Sequence, residues 1–341
     1  MAKRLPVGKL PADLLGRLLG KIELSDKSIV IGPGIGRDVA VMRSGKKLLV
    51  AKTDPVTLAA DLIGWYAVNV NANDIATMGV RPRWFLATVL LPEKCTDRMA
   101  EAIFDQIHDA CRSLGISLVG GHAEISYGLV RPIVVGCMLA EEADVPVITS
   151  AGAKVGDDIV LTKGIAIEGT ALLAREAGAK LRDAGVRKKV IASAAEFLFK
   201  PGISVLKEAL IARASAEVHA MHDPTEGGLA TGLYEIAEAA QVGVLIEEDM
   251  VPVVPESREI CDAISLNPLG LLASGSLIIT LPPQDTLGLL SALSKESISA
   301  AVIGRVVPVE EGVKIRSRDR VRNMPKFKRD ELARFLEGVE E

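Results

Sequence analysis

The 341-residue sequence lacks any CxxC pair; its four cysteines, Cys95, Cys111, Cys137 and Cys261, stand far apart. A disulfide framework and a structural zinc site are both unexpected, and buried thiols are the default reading. No uninterrupted apolar run approaches the ~20 residues of a membrane-spanning helix. The N-terminal stretch MAKRLPVGKLPADLLGRLLG has basic residues but no apolar core leading to a small-residue cleavage site, so a cytoplasmic protein is expected. Charge of one sign is not in excess either: the net charge is -4. The one basic stretch, KIRSRDRVRNMPKFKR, alternates basic with polar residues and reads as a solvated strand and loop, so neither nucleic acid nor membrane is an expected partner. There is no GxxxxGK[ST] loop, no GxGxxG fingerprint, no internal repeat and no low-complexity tract.

What is present is a mixture of two periodicities. SIVIG, KLLVAKTD, RWFLATVLLP, ISLVGG and RPIVVGCMLAE are short β-branched or apolar runs closed by Gly, Pro or Asp, the pattern of strands. Between them, LAADLIGWYAVNVNANDIATMG and TDRMAEAIFDQIHDACRSLG carry apolar residues at helical spacing, the second with Thr96 as its N-cap. VPVITSAGAKVGDD gathers Pro, Gly and small residues and marks a boundary. Beyond it the mixture restarts with DDIVLTKG, long helical stretches, and the strands VGVLIEEDMVPV, SLIITLPP and AAVIGRVVPV. The expectation is two α/β or α+β domains, 1–150 and 151–325, followed by a helical tail, 326–341.

Four acidic residues stand at strand ends or glycine-rich turns, where an α/β scaffold meets ligands. Asp38 follows GPGIGR, Asp54 ends LLVAKTD, Asp223 sits in MHDPTEGG, and Asp74 interrupts the apolar helix VNVNANDIATMG. Each also has a plain structural reading: a turn residue for Asp38, an N-cap for Asp54, an Asx turn for Asp223, and for Asp74 a carboxylate satisfied by backbone or Asn. If they converge, repulsion of order 4 kcal/mol per pair at ~4 Å and an effective dielectric of about 20 calls for a divalent cation. Hard oxygen ligands favour Mg²⁺, which commonly accompanies polyphosphate. Gly32, Gly34 and Gly36, and Gly120 with Gly121, offer backbone N–H groups for phosphate oxygens or else simply form tight turns.

In order and spacing, GPGIGRDVAVM, AKTDPVT, AVNVNANDIATMGVRP, LVGGHAEI, LTKGIAIEGTALLARE, MHDPTEGGLATGLYEIAEAA and NPLGLLASGSLIITLP resemble the motif series of the aminoimidazole ribonucleotide synthetase superfamily. That group includes thiamine-monophosphate kinase, selenophosphate synthetase and the hydrogenase-maturation dehydratase HypE, and HypE-like members are the most similar. The resemblance spans roughly residues 25–310. It implies a PurM-like N-terminal domain whose sheet pairs into a barrel in a homodimer, a PurM-like α/β C-terminal domain, and ATP with Mg²⁺ in a cleft. It further implies that Asp38, Asp54, Asp74 and Asp223 are metal ligands, with Asp223 closing the cleft, and that Gly34, Gly36, Asn71, Asn73, Gly120 and Gly121 contact the nucleotide. Activation or phosphorylation of a small-molecule or protein-borne oxygen by the ATP γ-phosphate would follow.

The departures from the family are as informative. HypE carries its substrate on a C-terminal cysteine, whereas this chain ends RFLEGVEE; Glu226 stands where HypE-like sequences often have Arg. Only Asp38, after Arg37, stands where thiamine-monophosphate kinases pair two aspartates, and no cysteine precedes Cys95, where selenophosphate synthetase needs a reactive one. His122 orients substrate or acts as a base, or is a hydrogen-bonded strand-end histidine; His222 has the same two readings, and Glu124 is a candidate polar contact. Two alternatives stay open: a thiamine-monophosphate kinase-like phosphotransferase, and a catalytically idle ATP-binding regulator.

Overall fold

The computed structural model describes residue 5 and residues 10–337, apart from 35, 58, 60, 144, 145 and 319. The chain folds into two α+β domains, each built on one sheet. Helix α1 (Ala12–Leu19) leads into β1 (Ile29–Ile31), β2 (Ala40–Ser44), β3 (Lys47–Val56), α2 (Ile63–Thr77), β4 (Trp84–Leu91), α3 (Asp97–Leu114), β5 (Ser117–Ile125) and β6 (Ile133–Ala143). The first sheet has the order β1-β2-β3-β6-β4-β5. The second half contains β7 (Asp158–Thr162), α4 (Ile167–Glu176), α5 (Gly178–Asp183), α6 (Lys188–Ala195), α7 (Leu206–Ser215), β8 (Ala220–His222), α8 (Gly228–Ala240) and β9 (Gly243–Glu247). It ends with α9 (Pro255–Ala263), β10 (Ile278–Leu281), α10 (Pro283–Lys295), β11 (Ala300–Val307), β12 (Val313–Ser317), β13 (Arg320–Asn323) and α11 (Glu331–Glu337). Its sheet order is β13-β12-β9-β11-β7-β10-β8. No described helix is long and apolar enough to cross a membrane.

Several boundaries differ from the sequence expectation. Strand β3 does not stop at Asp54 but runs through Pro55 to Val56, so Asp54 is not an N-cap. Pairing with β2 ends at Ala51, which leaves one side of β3 free and removes any need for an N–H at Pro55. Likewise β5 runs through Gly120 and Gly121 instead of closing there. A Cβ on Gly121 (φ 150°) would overlap the Ala87 carbonyl, so the glycine permits the close approach of β5 to β4. The stretch GTALLAREAGAKLRDAG is two helices separated at Ala177. The last four residues of the expected tail, 338–341, lie outside the described residues.

Helix α2 joins the halves. It is enclosed on nearly every side, and all its residues except Trp65 and Val70 are buried. One side packs against β3 and β6 and another against α7; Tyr66 lies in the hydrophobic core of the second half. Its asparagines satisfy backbone groups that this burial strands. Asn73 Nδ2 donates to Ile203 O at 2.8 Å, and its Oδ1 accepts from Val205 N–H at 2.9 Å. Both ends of that amide are spent on holding the second half.

Asn73→Ala leaves a buried carbonyl and a buried N–H without partners, a cost of about 2–4 kcal/mol. We predict a fall of that size in urea unfolding, with the m-value unchanged.

Candidate active site

Residues two apart on a strand share a face, so Lys52 and Asp54 on β3 point the same way, toward α2. Opposite Asp54 on β6 is Gly136, where a Cβ would overlap the Asn71 side chain; the missing side chain lets α2 settle onto the sheet. Asn71 Nδ2 then donates to Ala67 O at 2.8 Å and Asp54 O at 3.3 Å, pinning the helix above the strand. One turn further along α2, Asp74 Oδ2 lies 3.0 Å from Lys52 Nζ, and Asp54 Oδ2 lies 3.4 Å from the same nitrogen. From the second half, β8 and the turn after it bring His222 and Asp223. His222 Nε2 donates to Glu235 Oε2 on α8 at 2.8 Å, and its Nδ1 stands 3.8 Å from Asp38 Oδ2. The structure thus brings Asp38, Asp54, Asp74 and Asp223 into one electrostatic neighbourhood that spans both halves.

The burial of these groups sets their charge. Asp74 is driven well above its ordinary value by loss of water, opposed by Lys52 and reinforced by Asp223, Asp38 and Asp54. Asp223 rises to about 7, again mainly through burial; His222 and Lys52 hold it down and Asp38 pushes it up. Burial works to lower Lys52, but Asp74, Asp54 and Asp38 outweigh it and keep the ammonium charged. His222 rises to about 9, because its bond to Glu235 and the charges of Glu235, Asp38 and Asp223 exceed its desolvation.

Among the described residues no three acidic, His or Cys side chains form a ready metal cage. The donor set nevertheless fits Mg²⁺ held together with phosphate. Its oxygens are hard, Asp223 Oδ2 is buried without a partner, and Mg²⁺ usually takes only one or two carboxylates beside phosphate oxygens and water. Gly36, Arg37 and Asp38 line an adjoining cleft of about 520 Å³, with Thr77, Ser150 and Glu235 on its other walls. Gly34 is packed close to the Arg37 side chain.

Gly120, Gly121, His122 and Glu124 are elsewhere. They lie on β5, an edge strand exposed along its whole length and three strands from β3, roughly 14 Å at usual strand spacing. His122 Nε2 lies 3.1 Å from Glu124 Oε2, and Ser126 Oγ donates to Glu124 Oε1 at 2.8 Å. Those two bonds hold the Glu124 carboxyl below its usual range.

Two members of the cluster are not singled out by sequence reasoning. Lys52 has a signal, its place two residues before Asp54 on one strand. Glu235 has none. Glu168, in the first turn of α4, is buried with Oε2 unpartnered, and its pKa is raised to about 8 by desolvation, tempered by Ser274. All four cysteines are free thiols; Cys111 and Cys261 are buried, while Cys95 and Cys137 are only partly so, against expectation.

The N-terminal domain of AIR synthase related proteins matches residues 36–141, and the C-terminal domain matches residues 154–316. The chain belongs to the AIR synthase related protein family. Within it, the chain is 27% identical over 257 residues to the carbamoyl dehydratase HypE of Rhizobium leguminosarum, covering 74% of this chain and 70% of that one. It is 26% identical over 333 residues to the selenide, water dikinase of Methanocaldococcus jannaschii, covering 91% and 92%. A crystal structure of the hydrogenase maturation protein HypE in complex with ATP superposes with a TM-score of 0.71 at 22% identity, covering 92% of this chain and 91% of that one. The fold is therefore the PurM-like fold of this family.

Because Asp223 is raised from 3.8 to about 7, the folded state retains a proton there that the unfolded state has lost. Stability from this group is present below the unfolded pKa and is lost as pH rises through about 7; the slope is at most ~1.4 kcal/mol per pH unit for one proton. His222 contributes stability below 6.5 that is lost as pH rises through about 9. In metal-free buffer, Asp223→Asn is expected to flatten the decline in Tm between the acid range and neutrality and to leave the alkaline decline in place.

Proposed function

We propose that this family member is an ATP-dependent, Mg²⁺-requiring enzyme that uses the ATP γ-phosphate to phosphorylate or activate an oxygen of a separate acceptor, small or protein-borne. The observation that carries this reading is the set of carboxylates from both halves gathered around Lys52, at the junction where a substrate from one half would meet groups of the other. The dehydratase and dikinase relatives, and the ATP complex of a protein with the same fold, support ATP as the phosphoryl source.

In this reading Asp38, Asp54, Asp74 and Asp223 supply the carboxylates for Mg²⁺, one or two to each ion, and Mg²⁺ when bound would offset the charge of the phosphates. Lys52 keeps Asp54 and Asp74 in register and screens their repulsion. Asn71 and Asn73 fix α2, so the Asp74 carboxylate is in place before any ligand arrives. The Glu235-held imidazolium of His222 adds a fixed positive charge beside Asp38. The backbone around Gly34 and Gly36 offers N–H groups at the cleft.

This reading assigns no step to a thiol. Burial raises Cys111 to about 11 and Cys261 to about 12, and Cys137 is raised for the same reason. Each is a poor nucleophile at neutral pH. ATP turnover should survive replacement of all four cysteines by Ser or Ala.

The reading extends to a homodimer. β5 leaves its outer edge unpaired, and Val119, Ile125, Tyr127 and Val130 along and beyond it are exposed, Tyr127 by 98%. A second copy would cover that edge and the half-covered face of β4 and β6, and would bring His122 and Glu124 to a shared boundary. Sedimentation at micromolar concentration should give twice the chain mass; a monomer would rule this out.

Asp74→Asn is nearly isosteric and should leave the fold intact while abolishing Mg²⁺-dependent ATP binding measured by calorimetry. Unchanged affinity would remove Asp74 from the site. Incubation with Mg-ATP and candidate acceptors, resolving ADP from AMP plus pyrophosphate, identifies the bond broken.

A further inference from the structure

The last described segment of the chain is bound to the second half by specific contacts. The Met324 carbonyl accepts from Tyr234 Oη at 2.8 Å, and the Phe327 ring fills the place a side chain on Gly270 would take. Glu331 Oε2 accepts from Asn267 N–H at 2.9 Å, and Arg334 donates to Ser265 O at 2.8 Å. Within this segment Asp330 does something different. Its carboxylate is buried, and Oδ2 accepts from Gly227 N–H at 2.7 Å while Oδ1 accepts from Leu332 N–H at 2.7 Å.

Gly227 is the hinge of the turn that begins at Asp223. It has φ 77°, Gly228 follows at 61°, and a Cβ on Gly228 would lie 2.6 Å from Leu269 O. Two consecutive left-handed residues reverse the chain into α8 and aim the Gly227 N–H away from the helix, where it has no intrahelical partner. The turn is otherwise held by Gly228 N–H to Thr225 O at 3.0 Å and Ala273 N–H to Thr225 O at 3.3 Å. A carboxylate from 103 residues later therefore fixes the far end of the turn whose near end is Asp223. Burying it there is costly: desolvation and the neighbouring Glu226 raise Asp330 to about 6, the backbone donors notwithstanding. Ordinary tail docking, which Phe327, Leu332 and Glu331 already provide, requires no such charge.

We propose that Asp330 is a positioning residue of the active site, holding the Asp223–Gly228 turn through Gly227 so that Asp223 is presented to the cleft between the halves. This rests on the reading of Asp223 as part of the phosphate-handling site. Asp330 touches no substrate in this account and acts only through the turn.

The test compares Asp330→Ala with Glu331→Ala in the full-length chain. Glu331 anchors the same segment through Asn267 and Arg334 but does not contact the 223–228 turn. Asp330→Ala is expected to lower kcat for Mg-ATP turnover at least 30-fold, with KM for ATP changed less than threefold. Glu331→Ala should keep kcat within twofold although its Tm also falls. Asp330→Asn, which retains an acceptor for Gly227, should recover most of kcat, and it carries the test if the alanine variant does not fold. Hydrogen exchange of the amides from 223 to 230 should accelerate at least tenfold in Asp330→Ala and not in Glu331→Ala. Equal losses of kcat in the two alanine variants, or unaltered kcat in Asp330→Ala, would overturn the proposal. A wild-type chain with no ATP turnover contradicts the proposed function instead; the exchange comparison then decides, a selective acceleration supporting the hold on the turn and an equal effect overturning it.

Discussion

The ammonium of Lys52, held between Asp54 and Asp74, is the interaction on which the arrangement of the site depends. Without it, α2 would bring a buried carboxylate against a strand carrying another, with two more arriving from Asp38 and Asp223. One cation turns that repulsion into a bond between helix and sheet, and everything that places Asp74 contributes to making it short: Gly136 vacates space, Asn71 ties the helix to Asp54 O, and Asn73 ties it to the second half. A single ammonium still leaves an excess of negative charge. The raised pKa values of Asp74 and Asp223 come first from burial, and the neighbouring carboxylates add to that rise.

The two halves divide the work unequally. The first contributes a rigid frame, with Lys52, Asp54 and Asp74 on a strand and a helix at the centre of its packing. The second contributes groups on a turn and the short β8, so His222 and Asp223 rely on other elements to hold them: Glu235 from α8 and the C-terminal segment through Gly227. Sites built on regular elements are positioned by packing, whereas those on turns need dedicated hydrogen bonds.

Much of this was legible in the sequence, for physical reasons that can be named. An aspartate inside an apolar helix flanked by asparagines signals a polar group paid for by a specific partner, and Asp74 has one. The apolar run RWFLATVLLP, closed by Pro, marks a strand, and Thr96 caps α3 by accepting from Met99 N–H at 3.2 Å. What failed were boundaries decided by tertiary pairing. Pro55 and the Gly120–Gly121 pair look like strand stops, yet each sits where one side of its strand is unpaired or where a neighbouring backbone comes too close for a side chain. Strand β2 is short and ends in basic and polar residues, so only Ser44-Gly45 marks its hairpin with β3, Gly45 at φ 62°. Clustered carboxylates point to a metal ion, yet the Lys52 ammonium serves part of the same electrostatic need within the chain. The pairings of Glu235 with His222 and of Asp330 with Gly227 join positions that no local pattern connects.

Asp223, raised to about 7 chiefly by burial, holds a proton for part of the time near neutrality and is expected to lose it when Mg-ATP is bound. Calorimetric titration of the wild-type chain with Mg-ATP near neutral pH, repeated in buffers of different ionisation enthalpy, measures the protons exchanged. Net release on binding, reduced in Asp223→Asn, is the predicted result. Binding with no net proton release, or with the same release in that variant, would contradict it.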